Sequence, residues 1–311
     1  MIRNKANLSL IIGAAAVAAA ALLWSLDGIF IRPKFYHLPA ALVVFLEHGL
    51  GFLVLLPFFI RGWKETRSMS RRTWGSLGWI CLWGGLLGTL FITKAFFAAY
   101  DPEVETTLAT VVILQKLQPV FALVLARILL KEKLRRDFYI WAVLAILAAY
   151  FLAFAKQDVR LQDIRLIDPA AVYALLAAFA FGSSTVFGKR FTQEVGFANA
   201  TALRFGGTFL LSLIFILIGG QFRAFPAIEP LHWKLLVLIV FSSGALSMFI
   251  FYFGLKRIPA SVATIFELFW PLSAVILDYA INRNTLNATQ YLASAVLLFS
   301  FVMIVRRKPA R

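Results

Sequence analysis

The feature that most constrains this chain is a succession of ten long apolar runs with only short polar gaps between them. They fall at about 8–31, 39–60, 74–99, 104–130, 138–155, 169–188, 197–219, 231–255, 259–281 and 286–305. About 20 apolar residues are needed for a helix to cross a bilayer, and a backbone in lipid must satisfy its own hydrogen bonds. Ten such runs, with no soluble stretch left over, predict an all-α integral membrane protein of ten transmembrane helices. Composition agrees: 61% of the 311 residues are hydrophobic and 15% charged, whereas a soluble domain is nearer half apolar with about a quarter charged. The first run imitates a signal peptide from Leu8 to Ala21, but it stays apolar to Ile31, which is long enough to span.

The basic residues set an orientation. With the N-terminus in the cytoplasm, the gaps on that side hold 20 Lys and Arg and the opposite gaps hold 8; Lys94, Lys116 and Arg204 lie inside runs and complete the 31. Such an asymmetry places both termini in the cytoplasm, in the cell inner membrane. The net charge of +16 is scattered among these gaps rather than gathered in a stripe, so the lipid bilayer, and not nucleic acid, is the expected partner. A lone cysteine, Cys81, offers no disulfide and no cysteine metal site. The three histidines, His37, His48 and His232, form no metal-binding or catalytic motif, and no H-E-x-x-H, G-x-S-x-G or Walker loop occurs. Neither an enzyme nor a cofactor or metal is expected.

The two halves resemble each other. LVVFLEHGLGFL from Leu42 aligns with NATALRFGGTFL from Asn199 at an offset of 157, and LQPVFA from Leu117 aligns with FWPLSA from Phe269 at an offset of 152. Five helices per half is an odd number, so the halves are expected to be inverted across the membrane plane, with repeats at 1–156 and 166–308. Inverted repeats are typical of alternating-access transporters, whose substrate site lies near the midplane.

With these features the chain resembles the drug/metabolite transporter superfamily, in its EamA-type branch. The residues that carry the resemblance are LLWS from Leu22, ALVLARILLKEKL from Ala122 after Pro119, ALRF from Ala202 and PLSAVIL from Pro271. The resemblance implies a secondary transporter, an exporter or exchanger of small metabolites, commonly amino acids. It also implies a central cavity lined by helices 1, 3, 4, 6, 8 and 9, with helices 2 and 7 outside. The chain departs from the family in two places. The Glu that follows the proline helix is present as Glu132, but Asn284 stands at the matching place in the second half. Glu47 sits where the family usually has an Arg like Arg204.

Ionisable groups inside a membrane mark a pathway or a paired site by default. Glu267 lies about one turn before Pro271, and Gln115 about one turn before Pro119, with Lys116 next to it. Each proline disturbs the hydrogen bond to the carbonyl four residues earlier, so two broken helices with polar side chains at matching positions predict a midplane site. Trp24, Tyr252, Phe266 and Trp270 are the neighbouring aromatics. Aromatic faces beside a carboxylate suit an ammonium group, which favours amino acids or other ammonium-bearing solutes. The alternatives are a nucleotide-sugar or sugar-phosphate carrier, and a non-transporting sensor or channel. Glu47, Arg204, Asp27 and His48 are assigned gating or structural roles; Asp27, within about a turn of Arg32, suits an interfacial pair, a solvated group or a substrate contact, and Glu47 could meet Lys94, Lys116 or Arg204. Protons are a possible coupling ion through Glu47 or Glu267, and the protein is expected as a monomer or homodimer.

Overall fold

The computed structural model describes residues 2–99, 108–154, 168–282 and 285–306. The connection at 156–165, Asn284 and the side chain of Asp278 lie outside the described residues. Everything described is helix or connection. In chain order the α-helices are α1 Ile2–Leu26, α2 Ala40–Arg61, α3 Trp63–Arg67, α4 Arg71–Trp79, α5 Gly88–Ala98, α6 Leu108–Gln115, α7 Gln118–Leu129 and α8 Arg136–Phe154. The second half supplies α9 Pro169–Glu194, α10 Phe197–Ile218, α11 Pro230–Val240, α12 Ala245–Arg257, α13 Ala260–Phe266, α14 Phe269–Asn282 and α15 Ala288–Arg306. Among the described residues, nine spans are long and apolar enough to cross a membrane.

Local chemistry sets the helix ends. Asp168 caps α9 by accepting the Ala170 N–H at 3.1 Å, with Pro169 at the first helical position. Glu229 and His232 form a reciprocal capping box at the start of α11. Glu132 takes the same role from a distant part of the chain: its carboxylate accepts the backbone N–H of Ala260 at 2.8 Å and of Ser261 at 3.1 Å, at the start of α13.

The helices then pack through small residues. The buried face of α9 is largely alanine, from Ala170 to Ala180, and α8 buries Ala142, Ala145, Ala148 and Ala149. α1 lies along α12 where Gly13 meets Gly254; a methyl group on Gly254 would stand 2.6 Å from the Gly13 carbonyl. α2 lies along α10, and α8 along α15 at the edge of the bundle. Without a hydrophobic drive between helices in lipid, such close backbone approach is what holds them together. The exposed side chains, such as Leu53, Ile128, Ile140 and Leu292, form the apolar exterior that a bilayer requires.

Candidate functional site

Two helix breaks and two wide turns of helix shape a cavity of about 180 Å³ in the middle of the bundle. The breaks are those expected from the prolines. α6 stops at Gln115 and α7 restarts at Gln118 with Pro119 in its first turn; α13 stops at Phe266 and α14 restarts at Phe269 with Pro271 in its first turn. The wide turns are π-helical segments at Asp27–Ile31 and Ile80–Leu87, a geometry that recurs at functional sites. The first contributes Asp27 and Gly28 to the wall, and the second contributes Gly84.

At the second break, Glu267 is held by neutral donors. Thr185 Oγ1 donates to its Oε1 at 3.1 Å and Gln118 Nε2 donates to its Oε2, while Gln115 Nε2 donates to Gln118 Oε1 at 3.0 Å. A chain of amides thus ties the two broken helices together. The Lys116 ammonium does not form an ion pair with Glu267; it sits over the Trp270 ring, 4.3 Å from the centroid. Trp24, Phe96, Phe181 and Phe251 add further aromatic wall.

The second polar centre is a triad. The Arg32 backbone N–H bonds to the Asp27 carbonyl, the i to i+5 step of a π-helix, and so brings the two side chains onto one side. Arg32 Nη2 donates to Asp27 Oδ2 at 2.5 Å, and Nη1 donates to Glu47 Oε2 at 3.0 Å. The side chains of Arg32 and Glu47 are 6% and 8% exposed, so this is a buried arrangement of two carboxylates on one guanidinium. Asp27 Oδ1 is buried without a partner.

Arg204 forms the third centre. It is 6% exposed and donates to Ser184 Oγ at 3.1 Å, Tyr252 Oη at 3.2 Å and the Gly84 carbonyl at 2.9 Å. His48 packs on Phe205 in a tilted arrangement, 4.9 Å between centroids, and its Nδ1 lies 2.9 Å from the Val44 carbonyl. A carbonyl can only accept, so Nδ1 carries the proton in this geometry.

Of the residues expected at the site, Glu267, Gln115, Lys116, Trp270, Trp24, Glu47, Arg204, Asp27 and His48 all line the cavity. Tyr252 stands behind the wall, fully buried and in contact with Arg204, and Phe266 packs outward on Phe301 at 4.6 Å. Two expectations differ from the structure. Glu47, on α2, and Arg204, on α10, line the cavity rather than standing outside it, because glycines on both helices let α2 and α10 meet closely. Glu47 pairs with Arg32, not with Lys94, Lys116 or Arg204; Lys94 instead lies over the Tyr173 ring at 5.4 Å. Arg32 falls in a gap between apolar runs, so run length and charge pattern do not mark it as a cavity residue. Its spacing of five from Asp27 is the signal that a π-turn would have explained. Gln118, Thr185 and Ser184 were missed because uncharged polar residues on apolar helices are common and carry no such signal.

A polytopic helical protein with a polar, charge-bearing cavity at broken helices has the architecture of a membrane transporter. The sequence profile of the EamA-like transporter family matches residues 11–154 and 168–306, and the chain belongs to that family. It is 37% identical over 295 residues to the riboflavin transporter ImpX of Fusobacterium nucleatum, covering 94% of this chain and 97% of that protein. It is 22% identical over 275 residues to the biotin transporter of Escherichia coli K12, covering 87% of this chain and 85% of that protein. A solved crystal structure at 18% identity superposes with a TM-score of 0.71 over 97% of this chain and 98% of the other, a likeness of fold alone.

Proposed function

We propose that this protein moves riboflavin across the membrane, by alternating access around the central cavity. The observation that carries this reading is the 37% identity to a riboflavin transporter over nearly the full length of both chains. The cavity supports it. Riboflavin is a flat heteroaromatic ring with a hydrogen-bonding edge and a hydroxylated tail. Trp24, Trp270, Phe96 and Phe181 provide faces for such a ring, while Gln115, Gln118, Thr89 and Ser184 provide hydrogen-bonding groups for its polar atoms. Amino acids and other ammonium-bearing solutes are expected from aromatic faces beside a carboxylate, whereas the relatives named for a substrate are riboflavin and biotin transporters. Two of the cavity's carboxylates bond to Arg32, and the third accepts from Thr185 and Gln118.

In this reading Gln115, Lys116, Glu267, Trp24 and Trp270 contact substrate, Pro119 and Pro271 set the helix breaks, and Glu47, Asp27 and His48 tune the charge of the cavity. Ten spanning helices in two inverted repeats, with both termini in the cytoplasm of an inner membrane, complete the proposal. The α2–α10 contact favours the repeats. Gly49 is apposed to Phe209 while Gly206 is apposed to Phe52, and the His48 ring packs on Phe205, each position related to its counterpart by 157. Reciprocal contacts of this kind arise from a two-fold relation. Purified protein in detergent should quench riboflavin fluorescence saturably, as the ring stacks on tryptophan, and unlabelled biotin should compete poorly. Quenching that stays linear in protein concentration would remove riboflavin as the substrate.

A further inference from the structure

We propose that Arg204 is the specificity-determining residue for the flavin ring, and that its guanidinium receives the N1 and C2-carbonyl acceptor pair of the pyrimidinedione. The inference rests on the riboflavin reading above. It starts from an imbalance inside the cavity. The wall carries three carboxylates, Asp27, Glu47 and Glu267, and three cations, Arg32, Lys116 and Arg204. Arg32 holds two of the carboxylates, and Thr185 and Gln118 hold the third. Lys116 has the Trp270 face. Neither Lys116 nor Arg204 has an anion within ion-pair distance among the described residues, and of the two it is Arg204 that buries an N–H donor without a hydrogen-bond partner.

A guanidinium has five N–H donors in a fixed plane. Three of them go to neutral acceptors: Ser184, Tyr252 and the Gly84 carbonyl. The Nε–H is buried and has no partner. The Nε–H and one Nη2–H point along the same edge of the guanidinium, the edge that engages planar acceptors in pairs. The seat is built to hold this group in place. Gly84 has no side chain, and a methyl group there would overlap Ser184 and stand 3.1 Å from Arg204 Nη2. Tyr252 is completely buried and supports the guanidinium from behind.

Such a group calls for a ligand that brings concentrated acceptor character into the cavity. The isoalloxazine ring does so at N1 and the C2 carbonyl, adjacent acceptors where the conjugated system accumulates negative charge. A charge placed near N1 is one way in which a protein tunes the electronics of a bound flavin. Stacking on Trp270 or Trp24 then fixes the plane, and Arg204 fixes which edge points inward.

The test compares riboflavin with 2-thioriboflavin, in which sulfur, a weak acceptor, replaces the C2 oxygen. 4-Thioriboflavin, altered at the other carbonyl, is the control. Binding to the full-length protein in detergent is measured by calorimetry for the native sequence, Arg204→Met and Arg204→Lys. Gel filtration and thermal unfolding establish that each variant is folded. The native protein should bind riboflavin roughly tenfold more tightly than the 2-thio analogue, and about equally with the 4-thio analogue, the worth of one good charge-assisted hydrogen bond. In Arg204→Lys, which keeps the charge but not the planar fork, the 2-thio ratio should collapse to within about threefold. Arg204→Met, where it folds, should do the same. A 2-thio ratio that persists in Arg204→Lys overturns the role of Arg204 while leaving riboflavin as substrate. A native protein that binds none of the three ligands overturns the riboflavin reading, and this inference with it.

Discussion

The triad of Asp27, Arg32 and Glu47 makes a prediction whose sign, and not only its size, can be checked. Arg32 is buried between two carboxylates, at 2.5 Å from Asp27 and 3.0 Å from Glu47. Arg32→Met removes the only cation bound to either carboxylate among the described residues and leaves two anions facing each other. Stranding buried charges in this way costs about 3–5 kcal/mol. Now let Asp27→Asn and Glu47→Gln be made first. Each keeps its shape and one acceptor oxygen but exchanges a charge-assisted bond for a neutral one, so each alone should cost about 1–2 kcal/mol. Together they strand Arg32. In that background Arg32→Met replaces an unpaired buried cation by an apolar side chain of similar length and should stabilise, by about 1–4 kcal/mol. The same substitution thus changes sign between two backgrounds. Unfolding by increasing dodecyl sulfate in mixed micelles, followed through tryptophan fluorescence, measures each corner of the cycle. If Arg32→Met destabilises both backgrounds equally, within about 0.5 kcal/mol, the triad is not an electrostatic unit and the reasoning fails.

Other consequences can be read from single contacts. A methyl group on Gly85 would overlap the Thr208 side chain, so Gly85→Ala should lose about 1–3 kcal/mol, and Thr208→Ala should restore most of it in the same unfolding assay. Glu132→Gln leaves an acceptor for the start of α13 but removes the carboxylate charge; Glu132→Ala removes both. The expected loss for alanine is about 0.5–2 kcal/mol, with glutamine in between, and a loss for glutamine equal to that for alanine would mean that charge alone matters. Trp270→Leu removes both the ring under Lys116 and one stacking face of the cavity. Riboflavin affinity should fall about tenfold, at about 0.5–1.5 kcal/mol for the aromatic contact beyond its buried area, with little change in melting temperature.

Much of this arrangement is legible in the residues themselves. Run length and apolarity identify a helical membrane protein, because a backbone in lipid has so few alternatives. The two helix breaks follow from Pro119 and Pro271, since proline removes a donor wherever it falls. What the chain does not reveal by pattern is the pairing inside the cavity. Glu47 and Arg32 are 15 residues apart and on different helices, so their meeting depends on how α2 is placed by its glycine contacts with α10. The partners of Glu267 come from α7 and α9, and no local spacing links Gln118 or Thr185 to it. The same limit applies to substrate: carboxylates and aromatic rings suggest an ammonium group, whereas the relatives named for a substrate are riboflavin and biotin transporters.

Counterflow in proteoliposomes reads riboflavin transport by the purified protein itself. Vesicles holding purified protein are loaded with unlabelled riboflavin and diluted into a trace of labelled riboflavin. The account predicts a transient accumulation of label above equilibrium that saturates with internal riboflavin, is absent from empty vesicles, and is not produced by loading biotin or an amino acid. Accumulation driven equally by amino acid loading, or no accumulation from protein that is folded by gel filtration, would contradict it.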